Sequence, residues 1–341
     1  MTKKLRARQA LLEKQGKFAT DMNEKHRTFD ALDIDRGYDY LPEKPLERVR
    51  RAVILSIVAA LGPVVTWFAQ GARVEGKENL RAVRGGAISV CNHVHTLDTL
   101  MVKNALGPFR TFHTGSYYLL KRGVLGRIFK AGGFLPVGTR FRDIKNLQDA
   151  VGELAARGKI VNFYPEHALW PQYERLRPFQ SGAFRYAAKF GVPVLPLFIE
   201  FRETKLRRLL HGKKKVILHI LPAVDPASVA GETLHERTQA LSDAVFEAMR
   251  AAGCRLYGKE VRAADFVQAG AAAAGAAGET DAPRAEDRCA AAERRNAGAS
   301  RAADAARAQS AAYAEGASRA EGASYAENAP LGDPPPLPEN A

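Results

Sequence analysis

His93 and Asp98 stand with four residues between them in Asn92-His93-Val94-His95-Thr96-Leu97-Asp98. An imidazole titrates near neutrality and can take the proton of a hydroxyl as its oxygen attacks. A carboxylate on the ring's other nitrogen would fix the tautomer and stabilise the imidazolium that forms. A five-residue offset across a turn into a helix can bring the two side chains together. Alone, such a pair is a common coincidence, and an ordinary polar loop histidine is the alternative. His95, two residues on, is expected to point elsewhere. A second carboxylate, Glu166, follows Asn162-Phe163-Tyr164-Pro165, where an apolar run ends. If that run is a strand, Glu166 lies at its C-terminal end, the edge at which open α/β sheets bind ligands.

The elements that must hold these groups alternate. Ala87–Cys91 and Lys159–Tyr164 read as buried strands, Gly133 to Val137 as a glycine turn into a short strand, and Val192–Phe201 and Lys215–Leu221 as two more. Between them, Asn146–Ala156 has apolar residues at helical spacing, Gly182–Phe190 is closed by Gly191, and Thr233–Ala252 opens with the capping pair Thr233 and Glu236. Strands alternating with helices predict an α/β fold with a largely parallel sheet flanked by helices on both faces.

The chain has 341 residues, 46% of them hydrophobic, and a formal net charge of +14. The charge is uneven: residues 1–261 carry +18 and residues 262–341 carry −4. A body this basic seeks polyanions. No zinc-finger spacing, ribonucleoprotein aromatic motif or heptad zipper points to nucleic acid. Ala52–Ala69 is an uncharged 18-residue run behind Arg48, Arg50 and Arg51, with Trp67 near its far end and Pro63 expected to kink it. It reads as a membrane-inserted helix, spanning or re-entrant; a buried core helix is the alternative. Cys91, Cys254 and Cys289 form no disulfide or zinc pattern, and a reducing compartment is the simpler expectation. Past Val261 the composition collapses to Ala, Gly, Arg, Glu and Ser, which predicts disorder.

Four ordered blocks then carry a resemblance: Asn92-His93-x4-Asp98; Gly133-Phe134-Leu135-Pro136-Val137; Pro165-Glu166; and Val192-Pro193 with Pro196, preceded by Arg177-Pro178-Phe179-Gln180-Ser181-Gly182-Ala183-Phe184. In this order they resemble the glycerolipid acyltransferase family that includes 1-acylglycerol-3-phosphate acyltransferases. The resemblance covers about Arg73 to Leu221. Charge, hydropathy and composition give a segment 1–51 that is basic and peripheral, a membrane-inserted helix at 52–70 and a disordered tail at 261–341, and the resemblance makes 71–260 an acyltransferase domain. It implies that His93 is the general base, that Asp98 orients it, and that Glu166 positions the acceptor or braces the site. Pro165 and Gly133 would shape the backbone near the acyl chain.

The resemblance further implies a thioester donor, acyl-CoA or acyl carrier protein, with no metal and no other cofactor. The expected setting is a membrane lipid surface, with the active site facing the cytoplasm and no nucleic-acid partner. Two family cation positions are occupied here by Thr139 and Leu169, and a lysine often found upstream falls on Ser116. Arg140, Arg142, Lys121 and Arg175 are the candidate replacements for gripping an acceptor phosphate, with Arg140 nearest in sequence. Other lysolipid acceptors, thioester hydrolysis and a non-catalytic lipid-binding role are the alternatives. The basic runs Lys205–Arg208 and Lys213–Lys215 are expected to meet anionic head groups or to form a solvated hairpin.

Overall fold

The computed structural model describes residues 3–22, 34–36, 38–41, 44–121, 123–205 and 214–263. All lie within the first of the chain's two units, Met1–Arg295. Of the tail expected to be disordered from 261, residues 261–263 are instead ordered, with Val261 and Ala263 buried and Arg262 bridging Leu176; the rest of the tail, Cys289, and most of the two basic runs fall outside the described residues.

Seven strands form one sheet: β1 (Arg73–Glu75), β2 (Ala87–Cys91), β3 (Thr111–Ser116), β4 (Phe134–Val137), β5 (Ile160–Phe163), β6 (Val194–Arg202) and β7 (Lys215–Ile220). Their order is β1-β7-β6-β2-β5-β3-β4, parallel everywhere except between β6 and β7. The expected largely parallel sheet is present, and β1 and β3 join it in addition. β2 is central, between β5 and β6.

One face is covered by α6 (Phe141–Ala156), α7 (Gly182–Phe190) and α8 (Leu234–Tyr257). Their apolar stripes, among them Leu147, Val151 and Leu154, Phe184, and Leu241, Val245 and Met249, pack on Ile88, Val90, Val161 and Phe198. Thr233 and Glu236 make the expected capping box, each bonding the other's backbone amide. α8 runs five residues past the expected end, to a left-handed Gly258.

The other face carries α4 (Asp98–Leu106) and part of the N-terminal segment. That segment differs from the expectation of a peripheral stretch. Its first helix, α1 (Lys3–Lys14), and the residues after it bury Leu12, Phe18 and Met22 in the second core. Ile34 and Tyr40 enter the first core, and the backbone carbonyl of Ile34 accepts from Arg142 at 3.0 Å. The reason is patterning: among the charges, single large apolar residues recur often enough to seat the chain on the domain.

The apolar run becomes α2 (Pro45–Gln70), a 26-residue helix starting on a proline and continuing through Pro63. It is long and apolar enough to cross a membrane by length and composition, yet only 17% of its apolar window is buried. Leu55, Gly62, Thr66 and Gln70 make one buried stripe, which packs on α4 and on α5 (Gly123–Ala131). Leu46, Val49, Val53, Ile57, Leu61 and Phe68 point outward and are exposed. Short α3 (Lys77–Ala82) completes the described α-helices, beside two 3-10 turns at Tyr117–Lys121 and Pro226–Ser228.

Candidate active site

β2 ends at Cys91 in the centre of the sheet, and the chain leaves it through Asn92. The Asn92 amide imitates a strand partner: Oδ1 accepts from the Ile199 N–H at 2.7 Å and Nδ2 donates to the Ile199 carbonyl at 3.1 Å. This pins the exit of β2 to β6 and fixes where His93 begins.

The His93 ring meets Asp98 as the sequence spacing suggested, Nδ1 lying 2.9 Å from Asp98 Oδ2. The same oxygen accepts from the N–H groups of Val94 and His95, both at 2.9 Å. Asp98 is the first residue of α4, where the helix N-terminus also favours a negative charge. Its side chain is fully buried, while that of His93 is 22% exposed. Nδ1 is engaged, and Nε2 has no protein hydrogen-bond partner among the described residues. The ring lies flat on Tyr164, centroids 4.0 Å apart at 22°. The Tyr164 hydroxyl meets Thr99 Oγ1 at 3.2 Å, and burial, then Asp98, then Cys91 push its pKa well up, so it stays neutral. His95 turns to α2, its Nδ1 3.0 Å from Gln70 Nε2.

Glu166 arrives from β5, the neighbouring parallel strand. It is buried, and of its two expected roles the geometry gives bracing. Oε2 accepts from the backbone N–H of His93 at 3.1 Å and from Arg177 Nη2 at 2.7 Å, and Oε1 accepts from the Arg177 N–H at 3.0 Å. The Glu166 and Arg177 side chains are both 0% exposed. Arg177 also donates to the Ala168 carbonyl and lies 4.8 Å from the Trp170 ring centroid. Trp170 returns a bond from its N–H to the His93 carbonyl at 3.0 Å. Pro165, buried between Tyr164 and Glu166, accepts from the Gln180 N–H at 2.8 Å.

Gly133 is not part of this group. It precedes Phe134 at the N-terminal end of β4, while His93 leaves the C-terminal end of β2. Its glycine character serves the turn from α5 into β4: φ is +85°, and a Cβ there would lie 3.0 Å from Phe112 Cδ1. At the third block, His167 has φ +67° in place of the family's glycine, an uncommon backbone that histidine tolerates better than most residues.

The candidate phosphate cations separate. Arg142 is spent on Asp143 and the Ile34 carbonyl, and Arg175 pairs with Glu13 at 2.6 Å. The side chain of Lys121 lies outside the description. Arg140 is exposed, one residue before α6, at the same sheet edge as His93 and three strands away. Sequence reasoning missed Tyr164 as the ring under His93 and Arg177 as the counter-charge of Glu166. The only signal for the latter was its place in the Arg-Pro-Phe block.

Cys91 beside this site is fully buried, and burial, then Asp98 and Glu166, raise its thiol well above the ordinary range. It is a core residue and no nucleophile.

A family model described as Acyltransferase matches residues 71–200. The 1-acyl-sn-glycerol-3-phosphate acyltransferase of Escherichia coli (strain K12) is 29% identical over 163 residues, 45% of this chain and 62% of that protein. The chloroplastic 1-acyl-sn-glycerol-3-phosphate acyltransferase BAT2 of Brassica napus is 29% identical over 154 residues, 43% of each. The chain thus spans less than two thirds of the length of these curated relatives. The solved 1-acyl-sn-glycerophosphate (LPA) acyltransferase PlsC from Thermotoga maritima aligns with a TM-score of 0.45 at 22% identity, over 64% of this chain and 85% of that one. The ordered blocks and the family model agree on the same stretch: residues 71–200 match the acyltransferase family, and the relatives similar to them are 1-acyl-sn-glycerol-3-phosphate acyltransferases.

Proposed function

We propose that the protein transfers a fatty acyl group from acyl-CoA or acyl carrier protein to the free hydroxyl of 1-acylglycerol-3-phosphate, giving phosphatidic acid. The observation that carries this is His93, held at Nδ1 by Asp98 at 2.9 Å while its Nε2 has no protein partner among the described residues. Nε2 takes the acceptor's hydroxyl proton as the oxygen attacks the thioester carbonyl. The tetrahedral intermediate collapses and expels the thiolate. The imidazolium, stabilised by Asp98, returns its proton to the sulfur, giving one ester and one free thiol. No covalent acyl-enzyme and no cofactor enter this scheme.

The exposed apolar side of α2 supports attachment to a membrane, with its other side kept on the domain by Leu55, Gly62, Thr66 and Gln70. A helix held on the domain from Leu55 to Gln70 in this way lies on the bilayer face rather than leaving the domain to cross it. The catalytic edge then faces the cytoplasmic leaflet, whose anionic lipids suit the +18 body. A second reading, a lysolipid acceptor without a phosphate monoester, is favoured by Thr139 and Leu169 at the family's cation positions and by the engagement of Arg142 and Arg175 elsewhere.

The test is purified full-length protein with acyl-CoA or acyl carrier protein thioester, lysophosphatidic acid, and a panel of phosphate-free lysolipids. Phosphatidic acid formed mole for mole with free thiol is the expected result. Free fatty acid without diacyl product would instead make the protein a thioesterase. Absence of any acyl transfer across the panel would overturn the assignment.

A further inference from the structure

The backbone of His93 is held from the loop between β5 and α7, and that loop is held in turn by the N-terminus. The N–H of His93 goes to Glu166, and its carbonyl accepts from the Trp170 N–H at 3.0 Å and from Arg177 Nη2 at 3.4 Å. Residues 164–181 contain no helix or strand element, so little regular structure keeps these groups in place. Residues 261–263 bridge Leu176 from one side, and from the other the loop is held by the segment 3–22. Arg177 Nη1 donates to the Phe18 carbonyl at 3.1 Å, Trp170 Nε1 to the Thr20 carbonyl at 2.9 Å, and Gln9 Nε2 to the Pro171 carbonyl at 2.9 Å. Phe18 packs on Trp170 with centroids 6.1 Å apart, and Glu13 pairs with Arg175.

We propose that residues 3–22 form a clamp that sets the position of His93 through the buried pair Arg177–Glu166, which makes Arg177 a positioning residue for acyl transfer. The proposal rests on His93 being the general base. The links from Phe18 through Arg177 to Glu166 are hydrogen bonds between buried groups, and the last, to the His93 N–H, is partly buried. Loss of the clamp leaves Arg177 Nη1 and the Trp170 indole N–H without protein partners, and the loop must move to hydrate them. The ring of His93 stays on Asp98, but its backbone shifts against the reacting carbonyl. A misplacement of about 1 Å costs on the order of 100-fold in rate. Acceptor binding, made elsewhere along the sheet edge, is unaffected, so the effect falls on kcat and not on KM.

The experiment is hydrogen–deuterium exchange with steady-state kinetics on the full chain, comparing wild type, Leu12→Glu/Phe18→Ser, Arg177→Lys and His93→Ala. The double variant should exchange faster in residues 3–22 and 164–181 only. Its kcat should fall tenfold or more, with KM for lysophosphatidic acid within about twofold. Arg177→Lys keeps the charge opposite Glu166 with fewer donors, and its kcat should fall between the two. A detached segment with kcat within twofold of wild type would overturn the clamp, as would unchanged exchange in 164–181. If the double variant fails to fold, Gln9→Ala and Trp170→Phe each remove one bond, and normal kcat in both would overturn the proposal equally. An inactive wild type, or an active His93→Ala, would count against the acyltransferase reading instead, and the exchange data would still decide whether the segment holds the loop.

Discussion

Glu166 holds His93 by its backbone: Oε2 accepts the His93 N–H at 3.1 Å across 73 positions of sequence. Asp98 holds the same residue by its ring, so two carboxylates from two different parts of the chain fix one histidine. The charge of Asp98 is met by backbone N–H groups and the ring, that of Glu166 by Arg177.

Because that second pair is fully buried, losing one partner is costly. Glu166→Gln should destabilise the fold by about 3–5 kcal/mol, leaving Arg177 charged and unmatched, as read by urea unfolding. Glu166→Gln/Arg177→Met, which removes both charges, should recover much of that stability while activity stays low. Recovery of activity along with stability would mean the pair contributes only to folding.

His93→Ala should fold normally and lose at least about 100-fold in kcat, the usual cost of removing a general base. Asp98→Asn should also lose most activity, since an amide cannot stabilise the imidazolium. Circular dichroism with the acyl-transfer assay checks both. Activity of His93→Ala above about a tenth of wild type would remove His93 from the mechanism.

Much of this was legible in the sequence for a physical reason. β2, β5 and β6 are buried on both faces and read as mostly apolar runs, each broken by a single buried polar residue (Ser89, Asn162 and Glu200), and the helices between them carry stripes ended by glycine. β3 did not read as a strand because Thr111-Phe112-His113-Thr114-Gly115-Ser116 has one large apolar residue, although Thr111, His113 and Thr114 are all buried. The Asp98 contact followed from local spacing. The Glu166–Arg177 pair did not, because ten residues of irregular loop separate its members and nothing periodic brings them together. The N-terminal clamp was hidden for a different reason. Its charged composition suggested solvent, and its few apolar residues find their partners more than a hundred positions away.

Lys103 offers a test of the polar interior beneath α2. Its ammonium is buried and donates to the Thr111 carbonyl at 2.6 Å; burial, then the nearby Arg51, lower its pKa to about 7. An unfolded lysine titrates near 10.4. Between pH 7 and that value the unfolded chain binds a proton that the folded chain lacks, so this group's contribution to stability rises with pH and levels off above. Lys103→Met should therefore flatten the difference in unfolding free energy between pH 7 and 9. An identical pH slope in both proteins would place the charge of Lys103 in solvent contact.

The two sides of α2 should respond differently to charge. Val53 and Leu61 are 55% and 57% exposed, whereas Leu55 is fully buried. Val53→Glu/Leu61→Glu should cut co-sedimentation with anionic vesicles tenfold or more, since burying each such side chain is worth roughly 1.5–3 kcal/mol. The protein should stay folded. Leu55→Glu should instead unfold the packing of α2 on α4 and α5. Unchanged vesicle binding in the outer-face variant would remove α2 from the membrane contact.

If lysophosphatidic acid is the acceptor, its phosphate calls for a cation, and Arg140 is an exposed arginine at the sheet edge where His93 lies. It lies past the end of β4, three strands from β2, or about 14 Å at the usual spacing of strands. A glycerophosphate reaching from His93 and an extended arginine reaching back can share that gap. Its backbone is extended, φ −78° and ψ 146°. Arg140→Ala should raise the apparent KM for lysophosphatidic acid by roughly 10- to 150-fold, the equivalent of a lost charge-assisted contact of about 1.5–3 kcal/mol. Transfer to a phosphate-free lysolipid should stay within twofold, because that acceptor never used the cation. Equal losses on both acceptors would make Arg140 a structural residue, and no loss on either would give the phosphate to another cation.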